Sequence, residues 1–119
     1  MNYVLELEGC VIPKARPRGT SKGSHHYLPQ GYREWKDAAI ACLRKQQPPL
    51  KLSGVRVDVV LEGKHRRQGD ADNIIGSLMD ALVQAGILAN DNLVCVTGIS
   101  LELNYNKDNP RTIIAISPA

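Results

Sequence analysis

Apolar and polar positions alternate along the first segment, from Tyr3 to Ile12, with Tyr3, Leu5 and Leu7 interleaved with Glu6 and Glu8. A period of two predicts a half-buried strand. Tyr32, Trp35, Ala39, Cys42 and Leu43 then recur at helical spacing, which predicts a helix over Gly31–Gln46, ended by Pro48-Pro49. Val55, Val57, Val59 and Leu61 alternate with Arg56, Asp58, Val60 and Glu62, a second strand. Ile74, Ile75, Leu78, Met79, Leu82 and Val83 form the apolar stripe of a second helix, from about Ala71 to Ala85, with Gly86 just past its end. Val94, Val96 and Ile99–Leu103 predict a third strand, interrupted near Thr97-Gly98, and Thr112–Ile116 a fourth. Pro13–Pro29, with its Pro, Gly and Ser, reads as a long loop, and Asn106–Pro110 as a turn. The order β-loop-α-β-α-β-β predicts an α+β fold in one domain over residues 1–119. Its expected form is a small mixed β-sheet packed against two helices.

Composition changes this picture in two places. Aromatic residues are only 4% of the chain, with no Phe, so the core has to come from Val, Ile, Leu and Ala. Cys10, Cys42 and Cys95 are odd in number and widely spaced, which suggests small buried apolar residues and neither a disulfide framework nor a thiolate zinc site. No apolar run reaches the roughly 20 residues of a membrane span. The start MNYVLELEG lacks the basic and apolar regions of a secretion signal, so a soluble cytoplasmic protein with no membrane partner is expected.

Charge is distributed unevenly. Residues 1–67 hold thirteen Lys and Arg against six acids, and residues 68–119 hold two against six, which together give the net +3. A basic half joined to an acidic half suggests a polyanion partner beside an acidic metal pocket, or simply an uneven solvated surface.

The acidic residues carry candidate chemistry. Asp70-Ala71-Asp72-Asn73 lies where a strand pattern gives way to a helix. In an extended segment, residues two apart project to the same side, so Asp70 and Asp72 converge. Asp91 follows the helix in Asn90-Asp91-Asn92, and if the second and third strands are neighbours a single crossover returns it to the first pair. Three carboxylates with Asn nearby suit a hard cation such as Mg²⁺ or Mn²⁺, which can activate water and stabilise a phosphoryl group during phosphodiester hydrolysis. A plainer reading stands beside this one: Asp72 as a helix cap, Asp91 as a turn residue. Asp80 falls two turns after Asp72, on a polar face with Asn73, Ser77 and Gln84, and suits an auxiliary structural role.

Taken in order, Asp70-x-Asp72-Asn73, then Asp80-Ala81-Leu82, the Ala85-Gly86 turn and Asp91 before a strand resemble the RusA family of Holliday junction resolvases. The resemblance follows nearly the whole chain, with the close matches between Arg66 and Val94. It implies a homodimeric, Mg²⁺-dependent endodeoxyribonuclease, with Mn²⁺ able to substitute. Its substrate would be branched DNA, four-way junctions met in recombination and repair. Asp70, Asp72 and Asp91 fall on the family's catalytic, metal-binding positions, with Asn73 and Asp80 as auxiliary residues. Two departures stand out. Gly76 occupies the place, four residues after the second aspartate, where the family commonly has a Lys, and Asn90 replaces the first of two adjacent acids. These departures motivate an alternative: a weakened module that binds branched DNA without cutting it.

The basic residues complete the reading. Lys14, Arg16 and Arg18 alternate along the long loop and could follow a phosphate backbone, with Tyr27 able to stack on an unpaired base; a solvated loop is the alternative. Lys64, Arg66 and Arg67, just before Asp70, are placed to hold a scissile phosphate. Trp35 and Tyr32 are assigned to core or dimer interface, and His25-His26 to the surface.

Overall fold

The computed structural model describes residues 2–12, 30–48, 51–63, 71–104 and 110–119. Within these lie β1 (Tyr3–Glu8), α1 (Gln30–Lys45), β2 (Val55–Glu62), α2 (Ala71–Gln84), β3 (Val96–Asn104) and β4 (Arg111–Pro118). The strands form one mixed sheet in the order β1-β4-β2-β3. β4 is antiparallel to both β1 and β2, whereas β2 and β3 are parallel and joined through α2. The expected α+β architecture of two helices and a four-stranded mixed sheet is the one observed.

Alternation decides which sheet face is covered. Leu5 and Leu7 of β1, Val57, Val59 and Leu61 of β2, and Ile114 and Ile116 of β4 are all buried on one side. They join Ala39 and Leu43 of α1 and Ile74, Leu78 and Leu82 of α2 in a single core. Tyr32 is buried and meets Trp35 at 6.2 Å between ring centroids, with Trp35 half-buried against the core. Of the cysteines only Cys95 is buried; Cys10 and Cys42 are half-exposed, short of the full burial expected of them.

Element ends follow local chemistry. β1 stops at Glu8, four residues before its predicted end, because Gly9 turns to φ 85° and donates its N–H to the Pro110 carbonyl at 2.8 Å. α2 ends in a paired reversal: Gly86, at φ 81°, donates to Val83 O (3.0 Å), and Ile87 to Leu82 O (3.0 Å). This is the C-terminal glycine motif the sequence predicts, closed by the buried pair Leu82 and Ile87. The interruption expected near Thr97-Gly98 is a register shift, in which Val55 pairs with Val96 but Arg56 with Gly98. Gly98 makes room there for Arg56: a Cβ in its place would meet the guanidinium at 2.7 Å.

The pairing defines two ends of the sheet. Glu8, Arg111, Glu62 and Asn104 pair across one end, and Val55 with Val96 and Pro118 across the other. α2 is reached from the Glu62 end and leaves at the Val55 end. There Leu52 bridges Leu88, donating to Ile87 O at 2.8 Å and accepting from Ala89 N at 3.0 Å. The end of α1 and the residues just after it secure the same corner, with Arg44 reaching the Gln84 carbonyl (3.4 Å) and the Gln47 amide reaching that of Gly86 (3.2 Å).

Candidate acidic site

Asp72 is the second residue of α2 and exposed, and its Oδ1 accepts the Asn73 N–H at 2.9 Å. A carboxylate in the first turn is favoured by the unpaired amides and positive end of the helix dipole. Asn73 is half-buried, and its carbonyl lies 3.0 Å from the Ser77 hydroxyl. Asp70, Lys64, Arg66 and Arg67 lie outside the described residues, as do Lys14, Arg16, Arg18, Tyr27 and His25-His26.

Ser77 departs from the sequence expectation. It does not sit on a solvated face with Asp80 and Gln84 but is fully buried, its hydroxyl 2.8 Å from the Ile12 carbonyl. That contact fixes where the chain leaves the described structure for the 13–29 segment: against the middle of α2, about a turn and a half beyond Asp72. The run carrying Lys64, Arg66 and Arg67 joins Gly63, whose N–H bonds Asn104 O at 3.0 Å, to the start of α2. Of the described residues that flank the two basic segments, Ile12 thus meets α2 at Ser77 and Ala71 begins it. Nothing in the sequence pattern separates a Ser that faces water from one that bonds a backbone carbonyl 65 residues away.

Asp91 sits in the turn between α2 and β3, and the roles within that turn are divided. Asn90 accepts the Asp91 N–H on its side-chain oxygen (2.7 Å), and Asn92 Oδ1 accepts from Val94 (3.2 Å) and Cys95 (3.1 Å). The two asparagines build the turn. The exposed Asp91 carboxylate makes no hydrogen bond among the described residues, so turn formation does not account for it.

Asp72 and Asp91 do not meet within one chain. β2 and β3 are neighbours, as expected, but because they are parallel the crossover carries Asp91 to the Val55 end, while Asp72 stands at the start of α2. From Asp72 to Gln84 the helix rises about 18 Å. Among the described residues no three His, Cys, Asp or Glu side chains gather as a metal-binding group. Asp80, half-buried, lies about 12 Å along the helix from Asp72, too far to share an ion with it.

The sheet face without helices is acidic. Glu6, Glu8, Asp58, Glu62 and Glu102 project there from β1, β2 and β3, against Arg56 and Arg111. Both arginines are engaged, Arg56 with Asp58 at 2.9 Å and Arg111 with Glu62 at 3.3 Å. A polyanion is repelled from this face.

Fold and site thus define a small α+β protein with exposed carboxylates in the first turn of its crossover helix and beyond its far end. Residues 8–117 match the family described as endodeoxyribonuclease RusA, and the chain belongs to that family. It is 30% identical over 115 residues to the crossover junction endodeoxyribonuclease RusA of Aquifex aeolicus (strain VF5), covering 96% of this chain and 90% of that protein. Among solved structures it aligns with CetZ from Methanosaeta thermophila strain DSM 6194 at a TM-score of 0.46 and 14% identity. That alignment covers 98% of this chain but 27% of that one, a likeness too loose to bear on fold or function.

Proposed function

We propose that this protein is an Mg²⁺-dependent endodeoxyribonuclease that cuts four-way DNA junctions as a homodimer, in recombination and repair. The observation that carries the reading is the family match across residues 8–117, within which Asp91 holds a carboxylate that its own turn does not use. Asp70, Asp72 and Asp91 are the proposed metal-binding and catalytic residues. Their oxygen donors, with the Asn73 and Asn90 amides nearby, suit a hard divalent cation. When bound, such an ion supplies Lewis-acid stabilisation of charge on the phosphate and activates water for attack. Lys64, Arg66 and Arg67 hold the scissile strand, and Lys14, Arg16 and Arg18 follow the adjoining backbone.

The separation of Asp72 and Asp91 supports a site shared between two chains. If the aspartates act together, Asp91 comes from the partner of the chain that supplies Asp70 and Asp72. A two-fold dimer then carries two such sites, matching two symmetric scissile phosphates.

Mixing variants tests this. Asp72→Asn and Asp91→Asn are each inactive on a labelled four-way junction with Mg²⁺. Heterodimers formed from the two contain one intact shared site and nick a single strand. Absence of rescue overturns the shared site, and a wild-type protein that cuts no junction with Mg²⁺ or Mn²⁺ would falsify the enzyme reading.

Gly76 favours a second reading, in which the fold grips branched DNA without cutting. Gly76 lies one turn after Asp72 on the same side of α2, where the family resemblance leads one to expect a Lys. This reading predicts salt-sensitive junction binding with uncut DNA, and cleavage restored by Gly76→Lys.

A further inference from the structure

Gln46 imitates a strand. Its side chain accepts the Glu6 N–H on Oε1 and donates from Nε2 to the Glu6 carbonyl, both at 2.9 Å. One group thus exchanges two bonds with one residue of β1, the reciprocal pattern of a hydrogen-bonded pair in an antiparallel ladder. β1 lies at the margin of the sheet and pairs with β4 alone. Alternation turns the Glu8 N–H and carbonyl outward with those of Glu6, and no strand lies beyond them among the described residues.

Beside that margin, α1 and β1 leave a cavity of about 500 Å³. Trp35, Ala38 and Cys42 line it from the helix and Leu7 from the strand. Its volume is that of a ligand pocket, and its wall is largely apolar. The other side of the pleat is charged, because the exposed Glu6 and Glu8 side chains project there. Arg111 comes no nearer to the Glu6 carboxylate than 4.0 Å and is drawn closer to Glu62, at 3.3 Å.

We propose that this margin binds an extended peptide segment of another protein, added to β1 as a further antiparallel strand, in which Lys or Arg alternates with apolar residues. The alternation follows from the pleat. Peptide residues opposite Glu6 and Glu8 share their face and set a cation against each carboxylate. The residue between them, opposite Leu7, turns toward α1 and enters the cavity. Main-chain bonds to Glu8, and to Glu6 once the Gln46 amide swings aside, hold the segment, and the two side-chain rows select it. Phosphate is repelled by the same carboxylates, so nucleic acid does not suit this margin. A second copy of β1 would set acid against acid across the pair, which disfavours self-pairing. Asp70, Asp72 and Asp91 take no part, so the inference stands apart from the proposed cleavage.

Fluorescence anisotropy of a labelled hexapeptide alternating Lys with Val, titrated with the full chain, tests this. It is expected to bind at least about tenfold more tightly than peptides alternating Glu with Val or Lys with Gly. Glu6→Gln with Glu8→Gln, and separately Ala38→Gln at an exposed position lining the cavity, each weaken binding about tenfold. Cys42 supplies a local readout, because its Sγ lies 3.4 Å from the Gln46 Nε2 that the peptide displaces. In a Cys10→Ser background, with Cys95 buried, alkylation by iodoacetamide reports on Cys42. The peptide slows that alkylation, and it slows exchange of the Glu8 amide. Equal binding of the three peptides, undiminished affinity in either variant, or an unshielded Cys42 or Glu8 amide overturns the proposal. So does shielding of Cys42 by duplex DNA in place of the peptide, or by raised protein concentration alone, either of which assigns the cavity to another occupant.

Discussion

Thr112 shows how a single side chain reports on its surroundings. It points into the core from β4, opposite Leu7 and Leu61, and its hydroxyl finds no hydrogen-bond partner among the described residues. An unpaired buried hydroxyl costs free energy without contributing a bond. Thr112→Val keeps the shape and removes the cost, and is expected to raise unfolding free energy by about 1 kcal/mol in a urea titration. The same reasoning separates Asn90 and Asn92 from Asp91. The asparagine side chains are consumed by backbone amides, and the carboxylate between them is left for another use. Composition marks all three alike as turn residues; only the hydrogen bonds divide them.

Among the elements, β1 and α1 illustrate a contact that periodicity cannot foresee. The apolar spacing of α1 predicts its buried side, and Tyr32, Ala39 and Leu43 are buried accordingly. Gln46, just beyond the helix, accepts the Glu6 N–H on Oε1 and donates from Nε2 to the Glu6 carbonyl, both at 2.9 Å, closing the β1 edge there, and this depends on where the helix end is docked. Gln46→Ala is expected to leave the Glu6 N–H and carbonyl open and to produce association through the β1 edge. Light scattering that rises with concentration in the variant and not in the wild type checks this. Ser77 belongs here too: its polarity suggested water, but its position one turn past Asn73 turned it onto the Ile12 carbonyl. The glycine-ended α2 was legible because its signals are local, a φ that glycine adopts freely and an apolar residue next to it.

For the whole molecule, the acidic sheet face repels a polyanion, so the proposed DNA substrate is expected to approach the side that carries the helices. No helix among the described residues is long and apolar enough to cross a membrane. The proposed site, if shared by two chains, would couple ion binding to assembly. Mg²⁺ is therefore expected to raise the melting temperature of the wild-type protein, as a ligand bound only by the native state must. At a hundredfold excess over its dissociation constant the ion adds about 2.7 kcal/mol per site. Asp72→Asn, and equally Asp91→Asn, should abolish that rise in a calorimetric scan, each by removing a proposed ligand.

Strand and helix identities, the two-helix α+β class, the irregularity at Thr97-Gly98 and the family were all readable from the order of residues. Each rests on spacing along the chain, and spacing is local. The fate of Asp91 was not readable, because the direction of β3 relative to β2 is a property of the assembled sheet. Parallel pairing sends the end of the crossover away from its beginning, and no residue near Asp91 encodes that displacement. The exposed side of β3 was hidden for the same reason: Ile99 and Leu103 look like core in a strand, and become surface only because β3 stands at the margin of the sheet.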